Sequence, residues 1–251
     1  MRIATYNVWN SEQAMPRREV FLIEEMRKAD ADVLALQEVR SKEAAETMAV
    51  EAGYEHFCFY SYPEETEGLA LFSRTPFLAC GSWMDEAWAV YATTMIAGHI
   101  LSVVNVHLPW NSEKERQRQI MAVEKRASEL HAPWVYIMGD FNGNPSSDVQ
   151  RFLEGECLLQ GAEANPRWYD LAAAYGERIN VKPEDTLNFQ ENPCFHGNTM
   201  ETNARFDRIL LRNPYPEKFP RLKMCAVFGK KVYDEIGLAA SDHYGVVAEL
   251  E

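Results

Sequence analysis

Short apolar runs, each closed by a polar side chain, recur along the whole length of this chain. Ile3-Ala4-Thr5-Tyr6 ends at Asn7, Val33-Leu34-Ala35-Leu36-Gln37 at Glu38, and Leu101-Ser102-Val103-Val104-Asn105-Val106 at His107. Val135-Tyr136-Ile137-Met138-Gly139 leads to Asp140 and Asn142. Runs this short read as buried strands rather than membrane spans. Further strands are predicted at 54–62, 69–73, 77–97 (partly hairpins), 205–212 and 245–250, and the run over 134–138 is expected to break at Gly139.

Helical patterns lie between them. One opens at Pro16 and runs to Lys28, with Val20, Ile23 and Met26 on one face. A second covers 41–52 and stops at Gly53. The clearest spans 112–130: Ser112 and Glu115 read as a capping box, and Ile120, Val123, Ala127 and Leu130 as its buried face. Segments 148–155 and 168–174 also read as helical, whereas 180–203 is irregular and long for a loop, as functional loops often are. Many strands with a few helices predict an α/β (α+β) domain of two sheets packed face to face with helices outside. No composition shift or linker divides residues 1–251, so a single domain is expected.

Composition narrows the function. The net charge of −13 argues against unaided binding of long nucleic acid and favours small or terminal phosphoesters. Five scattered cysteines, an odd number without a C-x-x-C pair, suit neither a disulfide framework nor a zinc site. With no signal-peptide pattern and no long apolar stretch, a cytoplasmic protein without membrane insertion is expected, and no protein partner can be inferred.

A polar group at a strand end has left the core but is still held by it. There Glu38 is a candidate ligand for a hard cation, or else a salt-bridge partner of Arg40. Asp140 and Asn142 can face one side and pair a water-activating carboxylate with a positioning amide, or else form an Asx turn. Ser241-Asp242-His243 is either a capped turn or a metal-binding aspartate beside a histidine that meets the phosphate or acts as base. Asp207, inside a strand, either orients that histidine or bridges to Arg205 or Arg208. His107 could stabilise the transition state or protonate a leaving group. His56, His99 and His131 read as structural, while His196 lies in the long loop.

Taken in order, Thr5-Tyr6-Asn7, Leu36-Gln37-Glu38-Val39, Asn105-Val106-His107-Leu108, Gly139-Asp140-Phe141-Asn142, Arg205-Phe206-Asp207-Arg208-Ile209 and Ser241-Asp242-His243 resemble the endonuclease/exonuclease/phosphatase superfamily of DNase-I-like proteins over nearly the whole chain. The resemblance implies a four-layer α/β/β/α sandwich with two central antiparallel or mixed sheets, and a metal-dependent phosphoric ester hydrolase. It assigns Glu38 and Asp242 to Mg²⁺ or Mn²⁺. Asp140 would activate water, His243 (oriented by Asp207) and His107 would surround the phosphoryl oxygens, and Asn7, Asn142 and His107 would bind substrate. A weaker similarity to the 5′-tyrosyl-DNA phosphodiesterase branch rests on the Arg205–Ile209 and Ser241–Gly245 segments and on His107-Leu108 followed by Glu115-Arg116. Two departures stand out. Trp9 replaces a carboxylate two residues after the first asparagine, and Thr186-Leu187-Asn188-Phe189 lacks that branch's tryptophan.

Three substrate readings follow. The first is a phosphodiester at DNA or RNA ends, touched by Arg116, Arg118, Lys125, Arg126, Lys230 and Lys231 unless these are a solvated face. The second is a small or lipid-derived phosphoester, with Trp83, Trp88 and Tyr91 either lipid-seeking or core. The third is a non-catalytic binding module.

Overall fold

A computed structural model describes residues Met1–Glu251. The strands are β1 Arg2–Asn7, β2 Val33–Val39, β3 His56–Ser61, β4 Gly68–Ser73, β5 Phe77–Trp83, β6 Ala89–Ile96, β7 His99–His107, β8 Trp134–Asp140, β9 Trp168–Asp170, β10 Asp207–Arg212, β11 Leu222–Phe228, β12 Val232–Tyr233, β13 Leu238–Ala239 and β14 Gly245–Leu250. The helices are α1 Arg17–Ala29, α2 Lys42–Ala52, α3 Glu113–Ala127, α4 Asp148–Leu153 and α5 Leu171–Ile179. Two six-stranded mixed sheets form, in the orders β11-β14-β1-β2-β4-β3 and β5-β6-β7-β8-β10-β9, with β12 and β13 as a separate small pair.

The apolar runs are continuous because the central strands bury both faces. Ile3, Val33, Ala35, Leu69 and Leu71 of the first sheet meet Val103, Tyr136, Met138, Ile209 and Leu211 of the second in the central layer. Their neighbours Ala4, Tyr6, Leu34, Leu36 and Phe72 face outward beneath α1 and α2. On the other side Val104, Val106, Val135, Ile137 and Leu210 pack under α3 and α4. The result is the four-layer sandwich.

The topology gathers strand ends. β1 and β2 are parallel and joined through α1; β7 and β8 are parallel and joined through α3. A parallel pair puts its two C-terminal ends side by side, so Asn7 lies level with Gln37 and His107 with Asp140. β10 and β14 run antiparallel to β8 and β1, so each begins where its neighbour ends, and Asp207 is opposite Asp140.

One polar bridge joins the sheets near these ends. The β2–β4 ladder shifts register between Leu36 and Val39, and Glu38 adopts a left-handed φ of 58°. At the shift, Asn105 Nδ2 of the opposite sheet donates to the carbonyls of Leu36 (2.8 Å) and Ala70 (2.9 Å), while its Oδ1 accepts from Gln37 Nε2 at 2.6 Å.

Several local expectations are corrected. β8 continues through Gly139, whose φ of 143° and tight approach (a Cβ would lie 1.9 Å from Val106 O) make glycine obligatory within the strand. Residues 168–170 form β9 and the helix starts only at Leu171, because Asp170 caps it by accepting from the N–H groups of Ala172 and Ala173. Ser112 caps α3, but Glu115 pairs with Arg118 and closes no box; the helix ends at Ala127. Val20 is 62% exposed, and Leu22 joins Ile23 and Met26 on the buried face of α1. The sequence reading did not anticipate β11, which forms the edge of the first sheet.

Asn105→Leu should lower stability by about 3 kcal/mol, since it strips partners from buried polar groups. Chemical denaturation tests this. A midpoint unchanged from wild type would show that the bridge contributes nothing net.

Candidate active site

The eight residues singled out from sequence meet at the shared strand ends, and most contacts converge on one oxygen. Asp140 Oδ2 lies 3.2 Å from Asn7 Nδ2, 3.4 Å from Asn142 Nδ2, 3.6 Å from His107 Nε2 and 3.7 Å from His243 Nε2. Its other oxygen accepts the Asn142 backbone N–H at 2.8 Å, which holds Asn142 in its left-handed conformation (φ 46°). Asn142 Nδ2 also donates to Leu108 O.

Glu38 is half-buried and is turned into the site by its bulge. Its Oε1 accepts from Asn7 Nδ2 (2.9 Å) and its Oε2 from the backbone N–H of Asn10 (2.9 Å). It is not the partner of Arg40, which pairs with Glu12 instead. Asp207 likewise bridges to neither arginine of its strand. Arg205 pairs with Asp170, and Arg208 donates to the carbonyls of Gly143 and Arg205. Asp207 Oδ2 instead meets His243 Nδ1 at 2.8 Å.

Burial alone would depress the His243 imidazole, but the Asp207 and Asp140 carboxylates outweigh it and hold its pKa well above the ordinary value. Burial pushes the Asp207 carboxyl up too. The shared proton nevertheless stays on the imidazole, the stronger base of the pair. His243 therefore presents Nε2–H as a charged donor. Burial first, and then Glu38, Asp140 and Asp207, push the Asp242 carboxyl up to about 6, with His243 opposing them.

Sequence reasoning missed the supporting groups. The Tyr62 hydroxyl shares a 3.1 Å hydrogen bond with His107 Nδ1, so His107 turns Nε2 toward Asp140. Glu67 bonds Asn10 and borders the same charges. Arg18, fully buried, donates to the carbonyls of Val8, Trp9, Ser11, Gln13 and Ala240 and lies 4.6 Å from the centre of the Trp9 ring. Trp9, the departure from the family pattern noted in the sequence, thus packs on Arg18. The long loop is anchored at its base to the site: Thr186 Oγ1 accepts from the N–H groups of Phe206 and Asp207, and Asn192 Nδ2 donates to the carbonyls of Ser241 and Asp242. The only forward signal for Thr186 and Asn192 is the polar richness of residues 180–203; Tyr62, Glu67 and Arg18 carry none. His196 is exposed in that loop and is not one of the converging side chains.

Asp140, Asp207 and His243 offer three atoms within 4.8 Å of one another, as a metal site would. Asp207 Oδ2 and His243 Nδ1 are already bonded to each other, which leaves too few donors for a hard cation that prefers about six oxygens. Glu38 and Asp242 are less buried; burial first and neighbouring carboxylates second raise Asp242, and a divalent ion would relieve the second. These oxygen donors suit Mg²⁺ or Mn²⁺.

A model of the Endonuclease/Exonuclease/phosphatase family matches residues 4–243. Among solved structures, D. rerio TDP2 complexed with single strand DNA product superposes with a TM-score of 0.78 at 19% identity, covering 100% of this chain and 98% of that one. B. thetaiotaomicron mannosyl-6-phosphatase Bt3783 gives 0.71 at 17% identity, covering 100% and 99%. A truncated C. elegans TDP2 gives 0.73 at 14% identity, covering 99% and 96%. No curated protein sequence matches this chain.

Asp242 is harder to ionise in the folded chain, near 6, than its usual value of 3.8. The folded state therefore binds the extra proton, and this group's contribution to stability falls as pH rises between those values. In EDTA, Asp242→Asn should raise Tm at pH 7 and raise it less at pH 5. Equal effects at both pH values would remove Asp242 from the charge cluster.

Proposed function

We propose that this chain, which belongs to the Endonuclease/Exonuclease/phosphatase family, is a divalent-metal-dependent phosphoester hydrolase acting on a small or terminal phosphoester. The carrying observation is the meeting of four side-chain nitrogen atoms around Asp140 Oδ2, with Glu38 and Asp242 beside them.

Glu38 and Asp242 would hold Mg²⁺ or Mn²⁺, which when bound neutralises charge developing on phosphoryl oxygens. Asp140 aligns the attacking water and accepts its proton. Asn7 and Asn142 fix that carboxylate and lend amide donors to the phosphate. His243, kept charged by Asp207, donates from Nε2 to a phosphoryl oxygen, which favours electrostatic stabilisation over general-base chemistry. His107, steadied by Tyr62, faces the same space and is suited to the leaving-group side.

The choice of a small substrate rests on charge. Of the six cations that were candidates for nucleic-acid contact, Arg116 pairs with Glu113, Arg118 with Glu115, Arg126 with Asp85, Lys230 with Glu184 and Lys231 with Glu24, while Lys125 is exposed and pairs with no acid. Pairs with acids of the same chain leave little excess charge to bind a phosphate backbone. Likeness to the DNA-bound D. rerio TDP2 supports a second reading, hydrolysis at nucleic-acid ends. Lipid seeking has weaker support: Trp83 is buried and stacks on Tyr91, and Trp88 packs near Tyr62. No helix is long and apolar enough to cross a membrane. The five free cysteines suit a reducing, cytoplasmic setting.

Ester cleavage, read as phosphate from monoesters and as the freed phenol or tyrosyl group from diesters, should require Mg²⁺ or Mn²⁺ and stop in EDTA, across a panel of sugar phosphates, nucleotides, p-nitrophenyl esters and a 5′-tyrosyl oligonucleotide. Glu38→Ala should abolish both turnover and metal binding by calorimetry. Asp140→Asn should lower kcat by about 10²–10⁴-fold with the fold intact by circular dichroism. Silence of the wild type across the panel, or full turnover in Asp140→Asn, would refute this reading.

A further inference from the structure

Three residues past His107, the chain holds an indole out of the core. Trp110 is 77% exposed, yet its backbone is fixed, because Arg116 Nη1 of α3 donates to the carbonyls of Pro109 (2.9 Å) and Trp110 (3.0 Å). A lone exposed aromatic is ordinary on a protein surface; what singles out Trp110 is its fixed support beside the reaction centre and the lining it joins there.

Trp110 borders a cleft of about 570 Å³ that opens from Asn142, the amide already bonded to Asp140. That volume lies in the range of small-molecule sites, roughly 300–1,000 Å³. Phe189, tilted against Phe195 with ring centres 4.2 Å apart, and Phe206 supply apolar lining with Trp110. The remaining lining is rich in hydroxyl, amide and carboxylate groups, among them Asn144, Ser146, Thr202 and Glu201.

Charge excludes one class of ligand. The only cation lining the cleft is Arg116, which is bound to Glu113 at 2.7 Å and to two backbone carbonyls. Glu113 and Glu201 leave the cleft net negative, so a polyphosphate or a continuing phosphodiester strand is disfavoured. A neutral ring with apolar C–H faces and a rim of hydroxyls matches both halves of the lining: its face stacks on indole, and its hydroxyls bond carboxylates and amides.

We propose that this cleft is a sugar subsite, holding the pyranose ring of a sugar phosphate against Trp110 while its phosphate sits at Asp140. The proposal rests on the phosphoesterase reading for the position of the phosphate, and two readouts keep the two apart.

The first readout is steady-state phosphate release with Mg²⁺ from mannose 6-phosphate, glucose 6-phosphate, 5′-AMP and glycerol 3-phosphate, the last being a ringless ester. At least one hexose phosphate should exceed glycerol 3-phosphate and 5′-AMP at least tenfold in kcat/KM. Trp110→Ala should raise KM for that hexose phosphate about tenfold, leave kcat and the glycerol 3-phosphate reaction unchanged, and be partly rescued by Trp110→Phe. The second readout is tryptophan fluorescence with Mg²⁺ in the slow Asp140→Asn background, where the same hexose phosphates should give saturable quenching that adding Trp110→Phe abolishes. Quenching without turnover of any ester would sink the hydrolase reading and keep the subsite. Turnover with a Trp110→Ala effect equal on ringed and ringless esters, absence of Trp110-dependent quenching, or preference for 5′-AMP would overturn the subsite.

Discussion

The geometry of the site depends on a fault in one sheet and its repair by the other. A regular strand through Gln37 and Glu38 would keep to the β2–β4 ladder and alternate its side chains between core and helix layer. The register shift breaks that alternation, and the left-handed Glu38 turns its carboxylate toward Asn7 and the backbone of Asn10. Such a break inside a dry four-layer sandwich is costly unless polar groups near it find partners. Asn105 meets that need from the second sheet with two donated bonds and one accepted bond, and Thr5 extends the network to Gln37. The contact that stabilises the bulge thus also sets one sheet against the other, a few residues from His107.

Electrostatics then divides the site into two regions. Deep in the sandwich, Asp207 and His243 form a buried pair whose charges compensate each other, with Thr186 Oγ1 accepting two backbone N–H groups to hold the start of β10. Nearer the mouth, Glu38 and Asp242 lack a basic side chain of comparable closeness, since Arg40 is taken by Glu12 and Arg18 by backbone carbonyls. Asp140 stands between the two regions and is approached by nitrogen atoms from both. A site with compensated charge at its base and uncompensated carboxylates at its mouth suits a cation entering from solvent with an anionic ester.

The endpoints of the strands were legible because burial on both faces demands unbroken apolar runs, and a polar residue ending such a run marks where the sandwich stops. Parallel pairing through α1 and α3 then brings four of those endpoints together without any long-range signal in the sequence. What was not legible depends on partners distant in the chain. Tyr62 lies 45 residues from His107, and Asn192 lies 49 residues from Ser241. Neither carries a local pattern that separates it from an ordinary loop or strand residue. Gly139 was misread because a glycine after an apolar run resembles a turn, whereas here it admits the backbone of Val106. The weak spot over 168–174 has the same character: a strand of three residues is too short for any period to declare itself, and its cap, Asp170, belongs to the following helix.

The acidic balance of the chain takes on meaning only once its pairs are known. A net charge of −13 by itself permits a basic face. Arg116 and Arg118 of α3 face acids one turn away on their own helix, and Arg126, Lys230 and Lys231 face acids brought in by the fold. Exposed pairs of this kind contribute little to stability, about 0–1 kcal/mol each. Their larger consequence is to cancel the field that would gather a polyanion. With five of these six cations paired with acids, attraction for an anionic substrate would come from an ion held by the half-buried Glu38 and Asp242 and from non-ionic contacts beyond it. Beside Asn142 the surface offers such contacts in Trp110 and Phe189.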